Sequence, residues 1–227
     1  MKNSGLSVKV GITKLTTPDN ITFIHPFFGP NTYVNTMKKI DEAGLKRPTF
    51  RQNVSLVHAV YQNPNEKFSQ EIITTILKPN WLISNTAILY LPDNEGVYFQ
   101  DNPKTENGWP IMVKSELDKM LSDENPSVRF TDYKYNTGEM SKTALGKNPF
   151  VLGLTGDKKS AKMLAEIAGK HSEKPYLYAF DSDDVSEQEV RVFSLYSDWD
   201  WVRLFVDGIH GDYRLSCAFG VAPDKKQ

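Results

Sequence analysis

The stretch GLTGDKKS, from Gly153 to Ser160, carries a glycine, two lysines and a hydroxyl in the order that phosphate-binding loops use. A loop of the G-x-x-x-x-G-K-[ST] type needs its glycines so that successive backbone amides can wrap a phosphate. It also needs a lysine for charge and a hydroxyl for magnesium. Gly153, Lys159 and Ser160 fall in register, but Lys158 stands where the second glycine is required. The stretch is therefore not read as a nucleoside-triphosphate loop. What it retains is a simpler anion site built from Thr155, Gly156, Lys158, Lys159 and Ser160. The positive end of a helix starting there would favour a bound phosphate or carboxylate. The competing expectation is that Asp157 caps that helix and the lysines point into water.

A second group is acidic. Asp181, Asp183 and Asp184, with Asp198 and Asp200 from a later turn, offer hard oxygen ligands suited to a divalent metal, Mg or Ca. No EF-hand spacing is present, and acidic turns are commonly solvated loops. Asp181, Asp183 and Val185, following the apolar YLYAF, resemble the strand-then-D-x-D-x-[TV] opening of the haloacid-dehalogenase-like phosphatases. That resemblance implies a nucleophilic aspartate at 181, a general acid at 183 and a magnesium ion nearby. It spans only about ten residues, and short motifs match by chance often. The family also requires long segments downstream, whereas this chain ends at residue 227.

The aromatics Trp199, Trp201, Phe205, Tyr213 and Phe219 concentrate near the C-terminus. Strand alternation would put Trp199, Trp201 and Phe205 on one face, as core or as a stacking platform for a sugar, a base or a partner protein. The histidines His25, His58, His171 and His210 are scattered, and His58 has no second ligand one helical turn away. Cys217 lies among apolar residues and reads as a buried small side chain. No G-x-S-x-G elbow occurs.

Composition narrows the function classes. The charges, 27 basic and 28 acidic, leave a net of -1, so the chain as a whole has no field to hold nucleic acid. A single cysteine allows no internal disulfide and no thiolate zinc cluster, which fits a reducing compartment. No apolar run approaches the roughly 20 residues of a membrane span, and the first residues lack a signal-peptide pattern. The expectation is a cytoplasmic, soluble protein.

The elements that must position these residues follow from periodicity and caps. Residues 6–15 alternate as a strand, and ITFIHPFFGPN reads as an ordered loop because of Pro26, Gly29 and Pro30. Val34, Met37 and Ile40 mark a helix ending at Gly44. Thr49 and Gln52 form a capping box for a second helix, and Asn65 opens a third that Pro79 stops. A hairpin should close near Asn94 to Gly96, and a short helix should follow Ser115. VRFTDYKY reads as a strand, with a turn of helix near Ser141. Phe150 to Leu154, Asp157 to Lys170 and Pro175 to Phe180 read as strand, helix and strand, a right-handed βαβ unit. Three antiparallel strands end the chain.

The fold class is therefore α+β: N-terminal helices followed by a mixed, mostly antiparallel sheet containing one βαβ unit. Length favours a single α+β domain over 1–227, with an N-terminal helical subdomain over 31–79 as an option. No nucleophile, base and orienting group can be assembled, so the leading reading is a non-enzymatic binding or interaction protein whose partner is a small anion or a protein. The alternative is a metal-dependent enzyme acting on a phosphate-containing substrate. The third reading is a carbohydrate-binding module.

Overall fold

The computed structural model describes residues 13–76, 80–197, 204–209 and 214–223. Helix and strand are mixed along it, in keeping with α+β, but strands rather than helices come first. Strands β1 (Thr13–Thr16) and β2 (Thr22–Asn31) pair antiparallel. β2 replaces the loop expected from its prolines, and the register gives the reason. β1 meets only Thr22 to His25, and on the other side β2 is paired at Phe23, Ile24, Phe28 and Asn31, with shifts between. Pro26 and Pro30 fall outside those pairs, where a missing amide donor breaks no ladder bond.

Helix α1 (Tyr33–Glu42) is capped by Thr32. It closes when the amides of Gly44 and Leu45 donate back to Asp41 and Ile40, with Gly44 at φ 68°. The left-handed position suits glycine. α2 (Phe50–Gln62) carries the Thr49/Gln52 capping box, each side chain accepting from the other's backbone amide. α3 (Lys67–Glu71) follows Glu66 rather than Asn65 and continues into a π-helical turn at Ile72–Ile76. Pro79 lies outside the described residues.

β3 (Trp81–Leu91) and β4 (Gly96–Asp101) form the expected hairpin, pairing Leu91 with Gly96. A two-stranded ribbon, β5 (Thr105–Glu106) with β6 (Trp109–Pro110), precedes α4 (Lys114–Ser122). β7 (Val128–Thr131) adds to β4, and β8 (Gly138–Glu139) precedes α5 (Lys142–Leu145), which Ser141 caps.

The βαβ expectation is corrected here. Phe150 to Leu154 is not a strand but the body of helix α6 (Pro149–Thr155). Asn148 caps it by accepting from the Phe150 amide at 2.9 Å, and Pro149 occupies the first turn, where its missing N–H costs nothing. A short apolar run looks alike as a buried strand or a buried helix, so only these caps separate the two. Gly156, at φ 81°, ends α6, and Asp157 starts α7 (Lys158–His171). β9 (Tyr176–Tyr178) then follows α7, so that helix is preceded by a helix and not by a parallel strand.

A 3₁₀ turn at Ser182–Asp184 leads to β10 (Glu189–Ser197), β11 (Leu204–Ile209) and β12 (Ser216–Val221). β10 and β11 are antiparallel as expected, whereas β12 leaves them to pair antiparallel with β2 and parallel with β3. The main sheet among the described residues runs β1-β2-β12-β3-β10-β11-β9-β8, with β4 and β7 beside the far end of β3. One face packs Phe50, Val54, Phe150, Leu154 and Leu164 from α2, α6 and α7. The other packs Tyr33, Met37, Ile40 and Leu117 from α1 and α4. No described helix is long and apolar enough to cross a membrane.

Candidate functional site

On the face that also carries α1, aromatic residues from successive strands fall into a row. Trp81 at the start of β3 stacks on Tyr196 of β10, with ring centres 4.6 Å apart and planes 9° from parallel. Tyr196 is opposite Phe205 in β11, and Phe205 is opposite Tyr176 in β9. Through this register Tyr196 and Tyr176 fall in line across β10, β11 and β9. Two residues on, Tyr178 stacks against Tyr176 at 6.2 Å and is 53% exposed. Trp81, Tyr176 and Tyr196 are half-buried. The YLY of β9 buries Leu177 completely while both tyrosines face the opposite way, the period-two pattern of a strand with one covered face.

Part of this row was legible. Phe205 holds the register position between Tyr196 and Tyr176, and Trp199, Trp201 and Tyr213 lie outside the described residues. Phe219 does not belong: it is fully buried on the other face, edge-on to Phe23 and Phe27. Trp81, Tyr176, Tyr178 and Tyr196 were not singled out from sequence. The alternation in YLY was the available signal, whereas the stacking of Trp81 on Tyr196 depends on strands far apart in sequence.

The anion-site residues are brought together in the α6–α7 turn. The Asp157 carboxylate accepts from the Ser160 amide at 2.8 Å and from its hydroxyl at 3.0 Å, and the Arg51 guanidinium is 3.2 Å away. Thr155 donates to the Val151 carbonyl at 2.7 Å. Lys159 reaches Asp19 at 2.5 Å, and that bond, with one from Ser55, holds the Asp19 carboxyl below its ordinary range. Lys158 is exposed. With α6 in place of a strand, Gly156 and Asp181 do not share the ends of two neighbouring strands.

Asp181, Asp183 and Asp184 lie in the 3₁₀ turn after β9. The Asp181 carboxylate accepts from the Asp183 amide, and the Asp184 carboxylate accepts from the Asp181 amide, at 3.0 and 3.1 Å. This reciprocal capping box engages one oxygen of each. Among the described residues no group of three or more His, Cys, Asp or Glu is arranged to hold a metal ion. Asp198, Asp200 and His210 lie outside those residues. Cys217 is fully buried, its thiol pushed up by burial and 3.5 Å from the Trp81 carbonyl.

No protein-family model and no curated protein matches the chain. A solved structure from Nanoarchaeota, in which the C-type lectin fold accommodates massive sequence variation, is similar in fold. The TM-score is 0.54 at 15% identity, over 86% of this chain and 95% of that one. At that identity the likeness concerns the fold alone.

Proposed function

We propose that this chain is a non-enzymatic binding protein that holds a saccharide against the aromatic row of its sheet. The observation that carries the reading is the row itself: Trp81, Tyr196 and Tyr176 in cross-strand succession, ending in the exposed Tyr178. Flat aromatic faces complement the C–H face of a pyranose, and the phenol hydroxyls at their rims supply polar contacts that fix orientation. A tyrosine ring does this at low entropic cost because it has two rotatable side-chain bonds. The fold likeness supports a scaffold role, in which the sheet stays constant while surface residues set the ligand.

Intrinsic fluorescence titration of the full chain with a panel of neutral mono- and oligosaccharides tests the reading. Stacking of a ligand ring on an exposed aromatic is worth about 1–3 kcal/mol in the well-measured nucleic-acid case. Tyr178→Ala should then weaken the best saccharide about tenfold. Its unfolding free energy should stay within about 0.5 kcal/mol of wild type, because the side chain is mostly exposed. A panel with no response, or a variant that binds as well as wild type, would reject the proposal.

A further inference from the structure

A pocket of about 410 Å³ opens between α5 and α7, the helix whose core face packs on the side of the sheet opposite the aromatic row. Its volume falls within the range of small-molecule sites. α5 and the two residues after it supply Lys142, Gly146 and Lys147. One face of α7 supplies Lys162, Ala165 and Glu166, at the spacings of three and four that bring helical residues together. The floor forms where the two elements meet. A Cβ at Gly146 would come within 3.3 Å of the Ala165 methyl, and Ala165 is only 6% exposed. The Lys142 stem runs across Gly169 of α7, its Cδ 3.2 Å from where a Cβ would stand.

Floor and walls differ in chemistry. The Gly146 amide donates to the Lys142 carbonyl at 3.1 Å and the Lys147 amide to the Ala144 carbonyl at 3.1 Å, so these backbone donors are already used. The floor that remains is C–H surface. Around it stand three lysines and one carboxylate, Glu166, a net of +2 in a chain whose formal charge is -1. Glu166 is itself shared: Oε2 lies 2.9 Å from Nε2 of His58 in α2, and Oε1 lies 3.9 Å from Lys162. Lys142 and Lys147 have no carboxylate partner among the described residues. Like charges held around one pocket repel, and an anion seated between them relieves that repulsion.

We propose that this pocket takes a small organic acid, its carboxylate held by Lys142 and Lys147 and its apolar body lying on Gly146 and Ala165. The head gains charge-assisted bonds, and the body gains by leaving water. Inorganic phosphate meets the cations and leaves the floor wet, whereas a neutral alcohol covers the floor and leaves the charge unmet. The site is independent of the aromatic row and of the saccharide reading.

The ¹⁵N-labelled full chain would be titrated with hexanoate, with neutral 1-hexanol and with inorganic phosphate, up to millimolar concentrations. The assigned amide signals of Gly146 and Ala165 should move saturably with hexanoate, and at least about fivefold more weakly with the other two. Lys142→Gln/Lys147→Gln changes two exposed side chains, so the melting temperature should hold while hexanoate affinity falls at least about fivefold, the combined value of two exposed pairs. Glu166→Gln keeps an oxygen for His58 and removes the one carboxylate among the described lining residues. It should tighten hexanoate about twofold. The opposite signs separate the site from a general loss of structure, which would weaken binding in both variants.

Hexanol moving the signals as strongly as hexanoate would reduce the pocket to a neutral apolar cavity, and phosphate doing so would reduce it to a charge patch. Either result overturns the proposal. So do signals that stay still with hexanoate, or a double-lysine variant that binds as wild type does.

Discussion

The α6–α7 turn and the pocket between α5 and α7 are both rich in lysine and finish in opposite states. In the turn, two of the expected donor residues are already engaged: Asp157 takes the Ser160 amide and hydroxyl, and Asp19 takes Lys159. In the pocket one carboxylate, Glu166, faces three lysines, and Lys142 and Lys147 have no carboxylate partner among the described residues. A lysine's capacity to bind is thus set by whether the fold has already supplied its counter-charge. Residue type alone says nothing about that supply.

One side chain ties the engaged turn to the sheet, and removing it should give the largest effect. Arg129 donates to the Gly153 carbonyl in α6 at 2.7 Å and to Asp101 at 2.5 Å. Asp101 also accepts from Thr86, whose hydroxyl takes the Phe50 amide at the start of α2. Both charged side chains are largely covered, at 16% and 17% exposure. Arg129→Met would leave the Asp101 carboxylate without its cation, and breaking a buried pair on one side costs about 3–5 kcal/mol. Urea denaturation should show that loss, and the double variant Arg129→Met/Asp101→Asn should recover much of it. A single-variant loss below about 1 kcal/mol, the value of an exposed pair, would show that the link does not join the turn to the sheet energetically.

What the sequence made legible follows the range of each interaction. The Thr49/Gln52 box, the Gly44 helix end and the β3–β4 hairpin are decided within a few residues, and each is present where local chemistry put it. α6 was misread because Phe150 to Leu154 is uniformly apolar. The cap at Asn148 and Pro149, just upstream, was the distinguishing signal. Gly153 falls in register with the first glycine of a phosphate loop, a reading that Lys158 at the second glycine position already set aside. Its actual constraint is the Phe99 ring, which a Cβ there would overlap, and that contact is invisible from sequence. β2 was hidden by prolines that sit between ladder pairs. The aromatic row depends on strand register, and the lysine pocket depends on the approach of Gly146 to Ala165. Most of that information appears only once the elements are packed.

A middle-sized effect separates the two ways of reading the turn. Asp157→Ala removes the cap of α7, a 14-residue helix, and should cost about 1 kcal/mol. The same change opens the Ser160 amide beside Lys158 and Lys159. Phosphate should then raise the melting temperature of Asp157→Ala and leave the wild type where it was, because only the variant gains a partner that binds the folded state. Equal stabilisation of both proteins would mean that Asp157 and an anion do not compete for the same donors.

The smallest effect is the most specific to the turn's ion pair. Lys159 bonds Asp19 and depresses its carboxyl below the ordinary value, against the opposing effect of partial burial. A depressed acid contributes stability above its unfolded pKa, near 3.9 for aspartate, and loses it as pH falls through the folded value. Lys159 is well exposed, at 70%, so the pair should be worth no more than about 1 kcal/mol. Lys159→Ala should therefore be slightly less stable than wild type near pH 6, and the gap should close as pH falls below about 4. Urea titrations of both proteins across that interval measure it directly. A gap that persists unchanged into acid would assign the role of Lys159 to packing or to the helix dipole, since neither depends on the charge of Asp19.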